Sequence, residues 1–78
     1  MIDLKNKVIM ISGANRGIGH ATAKLLKEKG CILSLGARNP DEIKVGGDNV
    51  LKCMWDAKEK KLSKNWVSET ISYFDKID

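Results

Sequence analysis

At 78 residues, with 42% hydrophobic and 31% charged side chains and a formal charge of +4, the chain has the composition of one small globular domain. No apolar run is long enough to cross a bilayer, and no secretory signal precedes its two cysteines, so a membrane protein and a disulfide scaffold are both excluded. Cys31 and Cys53 lack metal-ligand spacing and read as small buried hydrophobes in a reducing, cytoplasmic setting, which leaves a small core without staples.

Lys7-Val8-Ile9-Met10-Ile11 is a short apolar run rich in β-branched residues, as expected of a strand buried on both faces of a parallel sheet. Ser12-Gly13-Ala14-Asn15-Arg16-Gly17-Ile18-Gly19-His20 leaves that strand and enters a helix. At such a turn, missing side chains let the backbone approach a phosphate, and the helix N-terminus offers unpaired N–H groups with a partial positive charge. Ile18, Ala21, Thr22, Leu25 and Leu26 recur at helical spacing, and Lys24, Lys27, Glu28 and Lys29 take the other face. His20 falls in the first helical turn rather than in any metal constellation. Gly30 ends the helix, where a residue with positive φ is usually needed.

Cys31-Ile32-Leu33-Ser34-Leu35-Gly36 is a second apolar strand, reached from the first by a right-handed crossover. Ala37-Arg38-Asn39 follows at its end. Pro40-Asp41-Glu42-Ile43-Lys44 fits a single helical turn with Asn39 as N-cap. Gly46-Gly47-Asp48-Asn49 then breaks the chain before Val50-Leu51-Lys52-Cys53-Met54-Trp55, a third strand whose Lys52 suits a sheet edge. Lys58, Lys60, Lys61 and Lys64 form a basic cluster without interleaved aromatics, a solvated helix entrance rather than a nucleic-acid surface. Ser63 reads as N-cap of the last helix, with Leu62 and Val67 as a hydrophobic staple. Trp66, Val67, Ile71, Phe74 and Ile77 form its apolar stripe.

The loop spacing Gly-x-x-x-Gly-x-Gly, set between a strand and a helix, resembles the cofactor loop of the short-chain dehydrogenase/reductase family, with Ser12 in place of the family's threonine. The resemblance covers essentially the whole chain but only the beginning of the family's domain. It implies an α/β fold: a truncated Rossmann-type βαβ(α)βα unit over residues 1–78, with three parallel strands in the order 3-2-1 and no second domain. It also implies binding of a nicotinamide dinucleotide. Gly13, Gly17, Ile18 and Gly19 would hold the pyrophosphate, with Asn15 orienting the loop or ribose. Asp56, followed by Ala57 where the family often has valine or leucine, would accept a hydrogen bond from the adenine amino group.

An acid at the end of the second strand favours a free ribose 2′-hydroxyl, and an arginine accommodates a 2′-phosphate. Ala37 stands where NAD-preferring members carry aspartate, and Arg16 and Arg38 stand where NADP-preferring members carry basic residues. Two guanidinium groups on one phosphate give charge-assisted, bidentate recognition, so NADP(H) is expected ahead of NAD(H).

The family's Asn-Asn-Ala-Gly segment, catalytic serine and Tyr-x-x-x-Lys pair do not occur; Tyr73 and Lys76 are three apart and read as helix residues. In the parent enzymes the tyrosine moves a proton to or from a carbonyl or alcohol while the nicotinamide carries hydride. The expectation is therefore the cofactor-binding part of an oxidoreductase, without catalytic residues of its own and with an unknown substrate. The alternative is a non-catalytic nucleotide-binding or interaction module. The 3-2-1 order leaves one side of the first strand unpaired, an edge suited to self-association.

Overall fold

A computed structural model describes residues 4–78, so the first three residues of the expected 1–78 unit lie outside it. Strand β1 (Val8–Ser12) leads into helix α1 (Gly17–Glu28), β2 (Ile32–Ala37), a 3-10 turn (Pro40–Glu42), β3 (Val50–Met54) and helix α2 (Lys60–Phe74). The three strands are parallel and ordered β1-β2-β3, which is the expected 3-2-1 order read from the other edge.

β2 lies in the middle and is the most buried strand, because it alone has a strand on each side and layers on both faces. Alternation of side chains sends Leu33, Leu35 and Ala37 to one face. There they form the main core with Ala14, Ala23, Cys31, Ile43 and Val45, and Ile9, Ile11, Leu26 and Val50 pack around it. Each fully buried Leu or Ile contributes about 1.5–3 kcal/mol relative to exposure. Ser34 and Gly36 point to the opposite face, where Trp66 and Thr70 of α2 cover them. The result is a three-layer unit, α1 and the 3-10 segment below, α2 above.

β1 departs from the expected doubly buried strand. Only Val8 is fully buried and Met10 and Ile11 are half-exposed, since β1 is the sheet's edge. The last residue of the chain meets that edge: Asp78 N–H donates to the Val8 carbonyl at 2.9 Å, and Val8 N–H donates to Asp78 Oδ2 at 2.8 Å.

The face of α1 that packs on the sheet also differs from expectation. Ala23 is buried and Leu26 half-buried, whereas Ile18 is 86% and Leu25 53% exposed. Two apolar stripes run along this helix, and it docks on the sheet through the one that holds Ala23 and Leu26. The C-terminus of α1 follows the expectation for Gly30, which has φ +86°. Gly30 N–H bonds the Lys27 carbonyl and Cys31 N–H the Leu26 carbonyl, the paired bonds of a Schellman motif.

The 3-10 turn is capped as expected, Asn39 Oδ1 accepting from Asp41 N–H at 3.2 Å. Lys52 is exposed on edge strand β3 and its ammonium donates to the Ile43 carbonyl, which ties down the segment between β2 and β3.

The start of α2 corrects the expected Ser63 cap and the Leu62–Val67 staple. The helix begins at Lys60 with Glu59 as N-cap. Asp56 turns the chain early: its Oδ1 accepts from Lys58 N–H and its carbonyl from Glu59 N–H. Ser63 is already helical, and its hydroxyl accepts from the Trp55 indole at 2.9 Å. The expected stripe narrows to Trp66 with Phe74, joined by Thr70, while Val67 and Ile71 are exposed and Ile77 lies beyond the helix.

Candidate functional site: clefts at the carboxyl ends of the strands

The glycine loop folds as a tight connection held from below. Ala14 is fully buried, and its N–H donates to the carbonyl of Gly36 near the end of β2. Gly13 and Gly17 have φ +65° and +61°, and a Cβ on either would meet no atom within 4 Å. These two glycines supply a backbone bend that opens onto free space. Gly19 serves a different purpose: a Cβ there would lie 2.3 Å from the Gly13 carbonyl oxygen, so helix and loop can approach only without it.

Arg16 is the N-cap of α1, in extended backbone, and makes no side-chain capping bond. No acidic residue sits in the first turn. The N–H groups of Gly17, Ile18 and Gly19 therefore begin the helix without a carboxylate or hydroxyl to satisfy them, and the helix dipole there is uncompensated. An anion fits that arrangement, and the cradle is open on the side where it would approach.

Two clefts flank the loop and share one residue. The first, about 600 Å³, is lined by Gly13, Asn15, Arg16, Arg38, Asn39 and Glu42. The second, about 340 Å³, is lined by Ala37, Arg38, Trp55, Asp56, Ala57 and Lys58. Arg16 and Arg38, far apart in sequence, thus face one cleft, and Arg38 and Asp56 the other. Gly17, Ile18 and Gly19 do not line either cleft; they follow Arg16 in the chain as the opening turn of α1. Asp56 is half-buried, with Oδ1 engaged by Lys58 N–H.

Several contributors are not assigned to the site by sequence reasoning. Glu42 belongs to the expected turn, Trp55 to the third strand and Lys58 to the solvated basic cluster, and Ala14 has no assigned role, yet Ala14 anchors the loop and the others line the clefts. Only Trp55 left a usable signal, its place directly before Asp56 at the end of β3.

Elsewhere chemistry is sparse. Burial raises the thiol pKa of Cys31. Burial also pushes the Cys53 thiol up to about 12, helped by its hydrogen bond to Glu69 Oε2 and that carboxylate's charge. Among the described residues no group of three or more His, Cys, Asp or Glu could hold a metal ion, and no helix is long and apolar enough to cross a membrane.

No protein-family model matches the chain. Individual relatives do. An oxidoreductase from Listeria monocytogenes, itself uncharacterized, is 38% identical over 82 aligned positions that take in 96% of this chain and 33% of the relative. The ipsdienol dehydrogenase of Ips pini is 31% identical over the whole chain and 31% of its own length. In three dimensions, a 3-ketoacyl-(acyl-carrier-protein) reductase from Brucella melitensis, solved with NADH, superposes with a TM-score of 0.89 at 28% identity, over 96% of this chain and 33% of that one. A short-chain type dehydrogenase/reductase from Mycobacterium marinum superposes equally well, with a TM-score of 0.89 at 25% identity.

Over nearly its whole length the chain is similar to oxidoreductases of the short-chain dehydrogenase/reductase type. It spans about a third of the length of the relatives it matches. Its three parallel strands and two helices reproduce the opening part of the Rossmann-type fold of this family. The loop, the two clefts and the uncapped helix N-terminus all lie at the carboxyl ends of the strands, where open α/β sheets bind their ligands.

Proposed function

We propose that the chain binds NADP(H) across the carboxyl ends of β1, β2 and β3, as the dinucleotide-binding portion of a short-chain oxidoreductase that interconverts a carbonyl and an alcohol. The observation carrying this reading is that Arg16 and Arg38 line one cleft with Gly13 and Asn15 beside the uncapped start of α1. In this reading the pyrophosphate rests on the N–H groups of Gly17, Ile18 and Gly19, and Arg16 and Arg38 grip the ribose 2′-phosphate. Asn15 orients the loop side of the ribose. Asp56 accepts from the adenine amino group through the oxygen not held by Lys58. When bound, the cofactor supplies hydride transfer; this chain's residues bind and orient it. The proton carrier of the reaction is not among them, so the 78-residue chain on its own binds without turning over.

NAD(H) is the second reading, and Glu42 favours it. Its carboxylate faces the same cleft as the two arginines, where it opposes a 2′-phosphate and could accept from a 2′-hydroxyl. The Brucella melitensis relative was solved with NADH. Titration of the chain with NADPH and NADH, followed by calorimetry, separates the two. Tighter NADPH binding supports the arginine assignment, and tighter NADH binding overturns it in favour of Glu42.

A non-catalytic interaction module working through the edge of β1 predicts concentration-dependent association instead. The residues of that edge beyond Val8 have no strand beside them among the described residues. A sedimentation series that stays monomeric removes this reading.

A further inference from the structure

We infer that Trp55 is the stacking face for the adenine ring, so that the second cleft selects a purine by its flat surface and not only by the hydrogen bond assigned to Asp56. This deepens the NADP(H) reading and rests on it.

Trp55 follows directly on β3 and is half-buried between the sheet and the cleft. Its ring is held by two contacts. The indole Nε1–H donates to Ser63 Oγ at 2.9 Å, so its one polar group is satisfied within the protein. The ring of Trp66 lies 5.8 Å away, centroid to centroid, tilted by 54°. The root of the side chain packs closely on Gly36, where an added Cβ would lie 3.1 Å from Trp55 Cβ. With the N–H turned inward, the indole has only carbon and π surface to offer the cleft it lines with Ala37, Arg38, Asp56, Ala57 and Lys58.

A rigid aromatic face with no unsatisfied polar atom is what a flat heteroaromatic ring gains most from covering. The indole loses little rotamer entropy on binding because packing already fixes it. Base-on-aromatic stacking is worth enough for its loss to weaken binding about 10-fold or more. Arg38 stands at the junction of this cleft with the first, so a ring on Trp55 leaves its attached ribose close to the arginine pair. Stacking tolerates any purine, whereas the Asp56 bond requires an exocyclic amine, and the two contributions separate cleanly.

Adenosine 2′,5′-bisphosphate is the probe, since it carries the adenine and the 2′-phosphate but no nicotinamide to absorb indole emission. Binding to the 78-residue chain is measured by calorimetry and by tryptophan fluorescence. Saturable quenching with the calorimetric Kd is expected, together with about 10-fold weaker binding in Trp55→Leu and a change within about 3-fold in Trp55→Phe. The hypoxanthine analogue of the probe, lacking the amine, is expected to lose affinity in Trp55→Leu by the same factor. Calorimetric binding with unchanged tryptophan emission, or Trp55→Leu binding within about 2-fold of the parent, overturns the inference and leaves the cofactor reading standing. Should Trp55→Leu fail to fold by circular dichroism, quenching in the parent chain and the affinity of Trp55→Phe decide. Absence of calorimetric binding by both the bisphosphate and NADPH overturns the cofactor reading and this role with it.

Discussion

The Trp66 indole Nε1–H donates to Ser34 Oγ at 2.7 Å in the centre of the sheet. Ser34 Oγ lies 2.6 Å from Thr70 Oγ1, and Thr70 Oγ1 donates to the Trp66 carbonyl at 2.8 Å. Each hydroxyl has one proton, so the direction is set: indole to Ser34, Ser34 to Thr70, Thr70 to the backbone of Trp66. The circuit satisfies every polar side-chain atom that α2 buries against β2.

Removing Ser34 leaves the buried Trp66 N–H without its acceptor, while Thr70 keeps its bond to the Trp66 carbonyl. Ser34→Ala is expected to destabilise the chain by about 1–3 kcal/mol, the cost of orphaning a buried donor. Thr70→Val in the same background should add less than it costs alone, because the two share one circuit. Urea unfolding of the single and double variants measures both.

Gly36 is fixed by the same packing. A Cβ at this position would stand 2.8 Å from Cη2 of Trp66, an indole that its bond to Ser34 holds against β2. Gly36→Ala is expected to lower stability by about 1–3 kcal/mol through overpacking and to shift Trp66 emission. Gly46→Ala is the control, since its Cβ would approach nothing closer than the flexible Lys52 ammonium at 3.6 Å.

The loop glycines should separate in their effects. Gly19→Ala drives a methyl into the Gly13 carbonyl, so the loop must lift and NADPH binding should fall beyond detection. Gly17→Ala meets open space and carries only the penalty of a positive φ, of order 1 kcal/mol. Calorimetry with NADPH, beside thermal melts, distinguishes a displaced cradle from a strained one.

Charge in the first cleft sets the expected cofactor preference. Arg38→Ala should weaken NADPH about 10-fold or more while changing NADH little, as expected for loss of a charge-assisted bond to the 2′-phosphate. Glu42→Gln should act in the opposite direction, raising NADPH affinity relative to NADH. Both variants are read as the ratio of the two dissociation constants.

Asp78 at the acid end and the two buried thiols at the alkaline end make stability depend on pH. The Val8 N–H bond and then Lys76, 2.9 Å away, hold the Asp78 carboxyl below its usual range. Its folded form binds a proton less readily than the unfolded one, so its contribution is present above the ordinary carboxylate pKa and is lost as pH falls through the lower folded value. Asp78→Asn should flatten that acid limb. Cys53 works at the other end. With its thiol held near 12, the unfolded chain ionises first, and stability should decline as pH rises from about 8.5 toward 12. Cys53→Ala should reduce that decline, leaving the smaller part due to the raised Cys31 thiol, and denaturant midpoints across pH test both limbs.

Local chemistry in the chain determined the element order, the glycine loop, the Asn39 cap, the Gly30 stop and the family resemblance, because each depends on neighbours a few residues apart. Tertiary structure alone decided which of two apolar stripes on α1 is covered, where α2 begins, and that Ser63 serves Trp55 instead of a helix end. Helical spacing groups Ile18 with Leu25, but the helix docks on the sheet through Ala23 and Leu26 and leaves that pair exposed. The site divides the same way. Its cradle is legible as a spacing, whereas the meeting of Arg16 with Arg38, the opposing Glu42 and the Trp55 wall arise from parallel strands that bring three separate turns to one end of the sheet.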